Sequence, residues 1–538
     1  MDKFRSALVA LAISVGGTCA MCSTHMNAMQ RIDLEPVQGS MAVKMRSPVL
    51  PGGAMVLVVP ETIGDEQEVL LNFPGYEPYW TGPDTAGAVG YTLANENVRY
   101  EVRIVPFCDH VDVWQGVRNL TARTWRHAFS FACVNPGPIN DKTFDRTYIA
   151  TANGPARIAD ISRTTSSRPL QFYELTGKQY QSHAFVDGFN ATCQTPAADS
   201  WVATVAPDGR RVVGVAANDA AFLFNNGEYG CIHACPDFGD VPPGETRWAL
   251  MRVYAMPGGL DDFIGRQARD RQGLVPSLRA VQRDPTKLTY QAAEIWLPWA
   301  DAGHLTLRLP ETLASGLGLL FIDHARADMP PVVRVDSLPD WQCDCATGAL
   351  WYTLELPNDV AFGGQITPVA NGAEMLFWVA NQTSAALKGL SPQFCLMANG
   401  APPFKARHLA RTYLRTGGNW RALARTTHEV MDPNLAPWVI AGVGEDGPRA
   451  GASWPGGWYV CHERAEAPLL ATADAAGVRV IAIMWENGRS VMSNGRIPCL
   501  HADPAIPDAE PGDTVHAHGR VYALSGGLDQ LWTAYSTR

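Results

Sequence analysis

Cysteine and histidine stand two residues apart at two places in this chain, Cys231-Ile232-His233 and Cys499-Leu500-His501. Residues two apart on a strand share a face, so each thiol projects beside its imidazole. Two more cysteines match between the same stretches, Cys133 with Cys395 and Cys193 with Cys461. Three thiols and an imidazole are the ligand set of a closed tetrahedral zinc site. The spacing argues against one, since the set runs from Cys133 to His233 without a Cys-x2-Cys knuckle. A disulfide between two of the three, inert core thiols, or a reactive thiol would use the same residues. The structural uses weigh more, and the sequence is assigned no metal and no cofactor. Cys343-x-Cys345, unmatched in the first copy, adds a metal or redox hint.

A second constellation is Arg146-Thr147-Tyr148, repeated as Arg411-Thr412-Tyr413. On a strand, Arg146 and Tyr148 share a face. There the guanidinium could neutralise a substrate carboxylate while the phenol handles a proton and a nearby histidine acts as base. That is the chemistry of a lyase acting on acidic sugars. The competing use is an ion-paired arginine beside a half-packed tyrosine. Residues 171–193 crowd Tyr173, Glu174, Lys178, Tyr180, His183 and Asp187 into one expected loop, where its counterpart is less polar. The candidate catalytic residues are therefore His233, Arg146, Tyr148, Glu174, Tyr180 and His183, all in the first copy.

The elements that must position these groups are duplicated. Residues 231–261 match 499–529 without a gap: a Cys-x-His-Ala opening, a Pro-Gly-(Glu/Asp)-Thr turn, an Arg-Val-Tyr-Ala strand and a Gly-Gly-Leu-Asp close. Upstream, Trp80 aligns with Trp341, Tyr91 with Tyr352, and Pro60-Glu61-Thr62 with Pro310-Glu311-Thr312. Short apolar runs between Gly, Pro, Asn and Asp turns predict an all-β protein: two tandem β-sandwiches of jelly-roll or supersandwich type. Apolar spacing after each Gly-Gly-Leu predicts that each sandwich ends in a short helix, with Asp261 and Asp529 as N-caps. The expected boundaries are 29–270 and 285–538, joined by a linker at 271–284.

The chain has 538 residues, suited to two large domains, and its 46% hydrophobic and 18% charged content is that of a globular protein. A net charge of −10 without a basic run argues against a nucleic-acid partner. Residues 1–28 begin with Lys3 and Arg5 before an apolar run too short to span a membrane, which reads as a signal peptide and predicts a secreted or periplasmic protein. A mis-set start would instead leave a cytoplasmic one. Asn119, Asn190 and Asn381 match the glycosylation sequon. Nucleotide-binding, His-Glu-x-x-His and Gly-x-Ser-x-Gly motifs are absent. Sixteen tryptophans and fifteen tyrosines offer flat faces for sugar rings. The expected function is carbohydrate binding or processing, as a polysaccharide lyase or glycoside hydrolase. The alternatives are a non-catalytic structural protein stapled by cysteines and a Cys/His metal-binding protein. No oligomeric state is assigned.

Overall fold

The β-branched and aromatic runs of the first copy pair into two antiparallel eight-stranded sheets. The computed structural model describes residues 25–27, 30–72, 75–84, 86–162, 170–178, 193–271, 275–281, 291–323, 331, 338–406, 408–426, 438–445, 447–449 and 459–538. One sheet, here the Cys-His sheet, runs Asp33–Pro36, Ala42–Arg46, Met55–Gly64, Trp125–Asn135, Cys231–Val241, Ala220–Asn226, Leu170–Glu174, with Val69–Asn72 branching from Met55–Gly64. The opposing sheet runs from Gly154–Arg157 through Thr147–Thr151, Trp201–Val205, Arg211–Ala217, Thr246–Pro257, His110–Asn119 and Val98–Pro106 to Val89–Ala94.

The second copy repeats both strand orders. Its Cys-His sheet places Ser277–Ala280, Ala292–Trp296, His304–Ser315, Ser391–Met397, Cys499–Pro504, Gly488–Asn494 and Trp438–Gly442 in equivalent places, then adds Tyr459–Val460. That last addition is the one parallel strand pair among the described residues. The strand Ser277–Ala280 lies inside the stretch expected to be a linker. It ends the sheet's strand order, pairing with Ala292–Trp296 on one side, and its four residues are all buried, with Leu278 across from Ile295.

Period-two burial explains the sandwich. In the first copy Leu57, Val59, Ile63, Val134 and Ile232 of the Cys-His sheet meet Val102, Ile104, Val213 and Val253 of the opposing sheet in one core. Each such side chain contributes roughly 1.5–3 kcal/mol on leaving water. The second copy's core runs on without a break into Cys108, Trp201, Tyr254 and Phe263 of the first, so the copies are docked through shared apolar surface. Around that seam lies a buried ionic network. Arg266 donates to Asp109 at 2.5 Å and Asp270 at 3.0 Å, and Arg252 to Asp112 at 2.7 Å. Near the chain's start, His25–Asn27 adds an edge strand to the second copy's opposing sheet, beside Gln342–Asp344. These three residues fall within the stretch expected as a signal peptide.

Helices Leu260–Asp270 and Leu528–Ser536 close the two copies. Their N-caps are Gly259 and Gly527 rather than Asp261 and Asp529. Glycine has no capping oxygen, so in the first helix the carboxylate of Asp262 accepts the Gly259 N–H at 2.8 Å. The expected caps sit in the first turn, where their charge still favours the helix dipole. No described helix is long and apolar enough to cross a membrane.

Two sequons proved structural. Asn119 is fully buried; its amide donates to the Arg123 and Val241 carbonyls, and its oxygen accepts the Thr121 N–H. Asn381 repeats the pattern with Ala385, Ala509 and Thr383. Asn190 lies outside the described residues. Asn119→Ala and Asn381→Ala should each cost roughly 2–4 kcal/mol, because buried carbonyls lose their donors. Urea denaturation measures this, and mass spectrometry after expression in a glycosylating host should find both sites bare.

Candidate functional site

Ile232 and Ala234 belong to the sandwich core, so the alternating Cys231, His233 and Cys235 face away from it, on the outer side of the Cys-His sheet. Phe129, Phe131, Phe172, Phe222 and Phe224 form a separate apolar layer on that side. The His233 ring stacks on Phe131 with centroids 4.5 Å apart and meets Phe224 edge-on at 5.0 Å. Ile232 lies across from Val134, which sets His233 beside Cys133 on the adjacent strand.

The third contributor comes from a bulge in the next strand. Val58 pairs with Cys133 but Thr62 with Phe131, so residues 59–61 lie in an irregularity of the ladder. Strict alternation would send Glu61 inward with Val59 and Ile63. Instead the carboxylate, Cys133 thiol and His233 ring offer ligand atoms within 4.8 Å of one another. The Cys231 thiol hydrogen-bonds to Cys133. The second copy builds the same site. Arg308 pairs with Cys395 and Thr312 with Gln393 around an identical bulge, and Met397 lies across from Cys499, setting His501 beside Cys395. Cys395, Cys499 and His501 again lie within 4.8 Å, and Glu311 Oε2 is 3.8 Å from His501 Nδ1. Each bulge is held from the opposing sheet: the Tyr91 hydroxyl donates to the Val59 carbonyl and the Tyr352 hydroxyl to that of Leu309. Trp80 and Trp341 pack edge-on against these tyrosines at 4.6 and 4.7 Å.

The two sites differ in charge. Burial pushes His233 down to about 3 and Glu61 up to about 7, so these two groups are neutral in mildly acidic solution, while a hydrogen bond from Cys133 lowers the Cys231 thiol. In the second, hydrogen bonding from Cys395 brings Cys499 down to about 5. Burial opposes charge on His501, but the Cys499 thiolate outweighs it and lifts the imidazole to about 9. Arg308, ion-paired to Glu311 at 2.7 Å, stands where the first copy has Val58. Asp503, pushed up to about 6 by burial, stands where the first has Cys235.

The sequence grouped Cys133, Cys193, Cys231 and His233 as one matched set, and the structure brings three of the four together. Cys193 and Cys461 are remote from the clusters: the Cys193 thiol donates to the Ile161 carbonyl and that of Cys461 to the Thr426 hydroxyl. The carboxylates of Glu61 and Glu311 take that place, and the duplicated Pro-Glu-Thr was their sequence signal. All ten described cysteines are buried free thiols.

The remaining candidates are spread out. Arg146 gives its guanidinium to the carbonyls of Val205 at 2.6 Å, Asn140 at 3.1 Å and Ile139 at 3.3 Å. Arg411 does the same with Ala473, Lys405 and Pro403. Tyr148 packs on the core shared between the copies, on the outer side of the opposing sheet. Two stacked sheets, roughly 10 Å apart, therefore separate Tyr148 from His233. Glu174 is half-buried at the end of the edge strand, across from Phe222. Tyr180 and His183 lie outside the described residues. Lys178 bridges Asp219 at 2.6 Å and Asp237 at 2.8 Å.

No protein-family model and no curated protein matches the chain. Among solved structures it is similar to a galactose mutarotase-like protein from Clostridium acetobutylicum (8% identity, TM-score 0.20), over 33% of this chain and 62% of that one. The Slr1438 protein of Synechocystis is 9% identical with a TM-score of 0.26, over 42% of this chain and 96% of its own. A polysaccharide lyase is 11% identical with a TM-score of 0.24, over 65% and 44%. Likenesses this slight carry no functional argument for this chain.

Because both arginines bind backbone carbonyls in matching turns, Arg146→Ala and Arg411→Ala should each lower unfolding free energy by roughly 1.5–3 kcal/mol and by similar amounts. Paired urea titrations check this. A much smaller loss for Arg146→Ala would release that side chain for another task.

Proposed function

We propose that this protein is a metal-binding double sandwich. Each copy would hold one ion of the zinc type, the first through Glu61, Cys133, Cys231 and His233 and the second through Glu311, Cys395, Cys499 and His501. The observation that carries this reading is the recurrence of two thiols, an imidazole and a carboxylate at equivalent strand positions in both copies. Thiolate, imidazole and carboxylate are all zinc ligands, and four protein ligands make a closed site of structural type. His233 strengthens the reading: it is buried, the Ala132 backbone occupies one ring nitrogen at most, and the other is left without a partner. Such an atom costs free energy unless something else binds it. Three neighbouring strands supply each set, so the ion would fasten them on the side away from the core.

Elemental analysis of protein purified without chelators should find two zinc-type ions per chain. Cys231→Ser and Cys499→Ser should each remove one, and the double variant both. Metal-free protein that also fails to take up zinc on reconstitution would overturn the proposal.

A second reading is carbohydrate binding or processing by the first copy, as a lyase or glycoside hydrolase. It is favoured by an open pocket of about 360 Å³ lined by Thr81, Asp84, Thr92, Glu101 and Arg103. Carboxylates, a guanidinium and hydroxyls are the groups that meet sugar hydroxyls. On a glycan panel, Arg103→Ala should weaken any binding at least about tenfold while His233→Ala leaves it unchanged. The reverse pattern would move the sugar to the Cys-His face, and no binding by the parent protein would end this reading.

A further inference from the structure

A third group of thiols lies outside both clusters. Cys108 sits in the turn between strands Val98–Pro106 and His110–Asn119 of the first copy; Cys343 and Cys345 belong to the strand Gln342–Asp344 of the second and the turn after it. All three are buried in the apolar seam where the copies meet. We infer that Cys108, Cys343 and Cys345 form a disulfide-exchange site that covalently closes the seam between the two copies.

Distance decides between a bond and a shared ion. The sulfurs of Cys108 and Cys343 are 2.8 Å apart. Two thiolates on one tetrahedral zinc ion, each about 2.3 Å from it, stand about 3.8 Å apart. A disulfide brings them to about 2.05 Å, the nearer of the two geometries. The Asp109 carboxylate lies beside the thiols, accepting from Cys108 Sγ at 3.7 Å, but it is already engaged by His110 Nδ1 at 2.6 Å and Arg266 Nη1 at 2.5 Å. The same Arg266 nitrogen donates to the Cys345 carbonyl at 2.8 Å, so one side chain from the first copy's closing helix positions both thiol-bearing segments. On its other edge, Cys343 is held across from Met26 by the strand His25–Asn27.

The chemistry needs an oxidant, and a small disulfide such as oxidised glutathione supplies it. The Cys108 and Cys343 thiols lose two protons and two electrons and become one disulfide, while the oxidant's disulfide takes both and becomes two thiols. Cys345 then makes the bond exchangeable. Its thiolate attacks the Cys108 sulfur, a Cys108–Cys345 bond forms, and the Cys343 thiolate leaves. Hydrogen bonds from Cys108 and Cys343 bring the Cys345 thiol down to about 6, which favours it as the attacking thiolate. Either bond ties Cys108 of the first copy to the second, so exchange shifts the link by two residues without opening the seam.

The test is peptide mapping without reduction, after refolding the full chain in a glutathione redox buffer and alkylating it in denaturant. The Cys108 peptide should be joined to the peptide carrying Cys343 and Cys345. Cys345→Ser and Cys343→Ser should each keep a link, through the remaining thiol, and Cys108→Ser should lose it. The oxidised parent should melt roughly 5 °C or more above its reduced form, a difference that vanishes in Cys108→Ser. Complete alkylation of all three thiols in the oxidised parent would overturn the proposal, as would a stoichiometric metal ion lost in Cys108→Ser. Loss of the link in Cys343→Ser would rule out exchange. Because Cys231 and Cys499 take no part, these outcomes are independent of the ions proposed for the two clusters.

Discussion

Everything at the two clusters depends on a break in strand alternation. A regular strand sends neighbouring side chains to opposite sides, which would bury Glu61 with Val59 and Ile63 and leave Cys133 and His233 facing only phenylalanines. The bulge at residues 59–61 turns the carboxylate outward, and the Tyr91 hydroxyl holds the bulge by bonding the Val59 carbonyl from across the sandwich. A backbone carbonyl freed from its ladder needs such a donor. Tyr352 and Leu309 repeat the arrangement. The core tyrosine, its tryptophan neighbour and the outward ligands thus form one mechanical unit that survived duplication intact.

The duplicated pattern made much of this readable in advance. Matched strings place equivalent strands, and the alternation of Cys-x-His puts thiol and imidazole on one face. The duplicated Pro-Glu-Thr marked the glutamate, but its place beside Cys133 and His233 was not readable, because strict alternation would turn it inward and only the bulge turns it outward. The third matched cysteine misled for the opposite reason: Cys193 and Cys461 are equivalent to each other, yet equivalence says nothing about convergence. Arg-Thr-Tyr drew attention because arginine beside tyrosine can do chemistry, but turn carbonyls at Ile139, Asn140 and Val205 absorb the guanidinium. Ser277–Ala280 looked like a linker because four residues are too few for periodicity to register.

Duplication also let the copies drift within a fixed frame. Val58 in one is Arg308 in the other, and Cys235 is Asp503. In the first set burial among aromatic rings disfavours charge on His233; in the second, which sits among carboxylates and arginine, hydrogen bonding from Cys395 favours the Cys499 thiolate, and that thiolate favours the His501 imidazolium. Two pockets with the same ligands and different surroundings would release different numbers of protons on binding the same cation. They would differ in affinity and acid sensitivity without any change in ligand identity.

The strand His25–Asn27 sets a schedule for synthesis. Asn27 donates to the Asp340 carboxylate, 313 residues further along. At ribosomal speeds of about 5–20 residues per second, roughly 15 to 60 s pass between the emergence of the two. The first sandwich has all its own strands well before then and can form while its leading segment waits. That segment must stay unpaired until residues 342–344 have been made, and it then docks on the first strand of the second copy's opposing sheet. Pairing of His25–Asn27 therefore joins the earliest described residues to the opening strand of the second copy's opposing sheet, before most of that copy has been made.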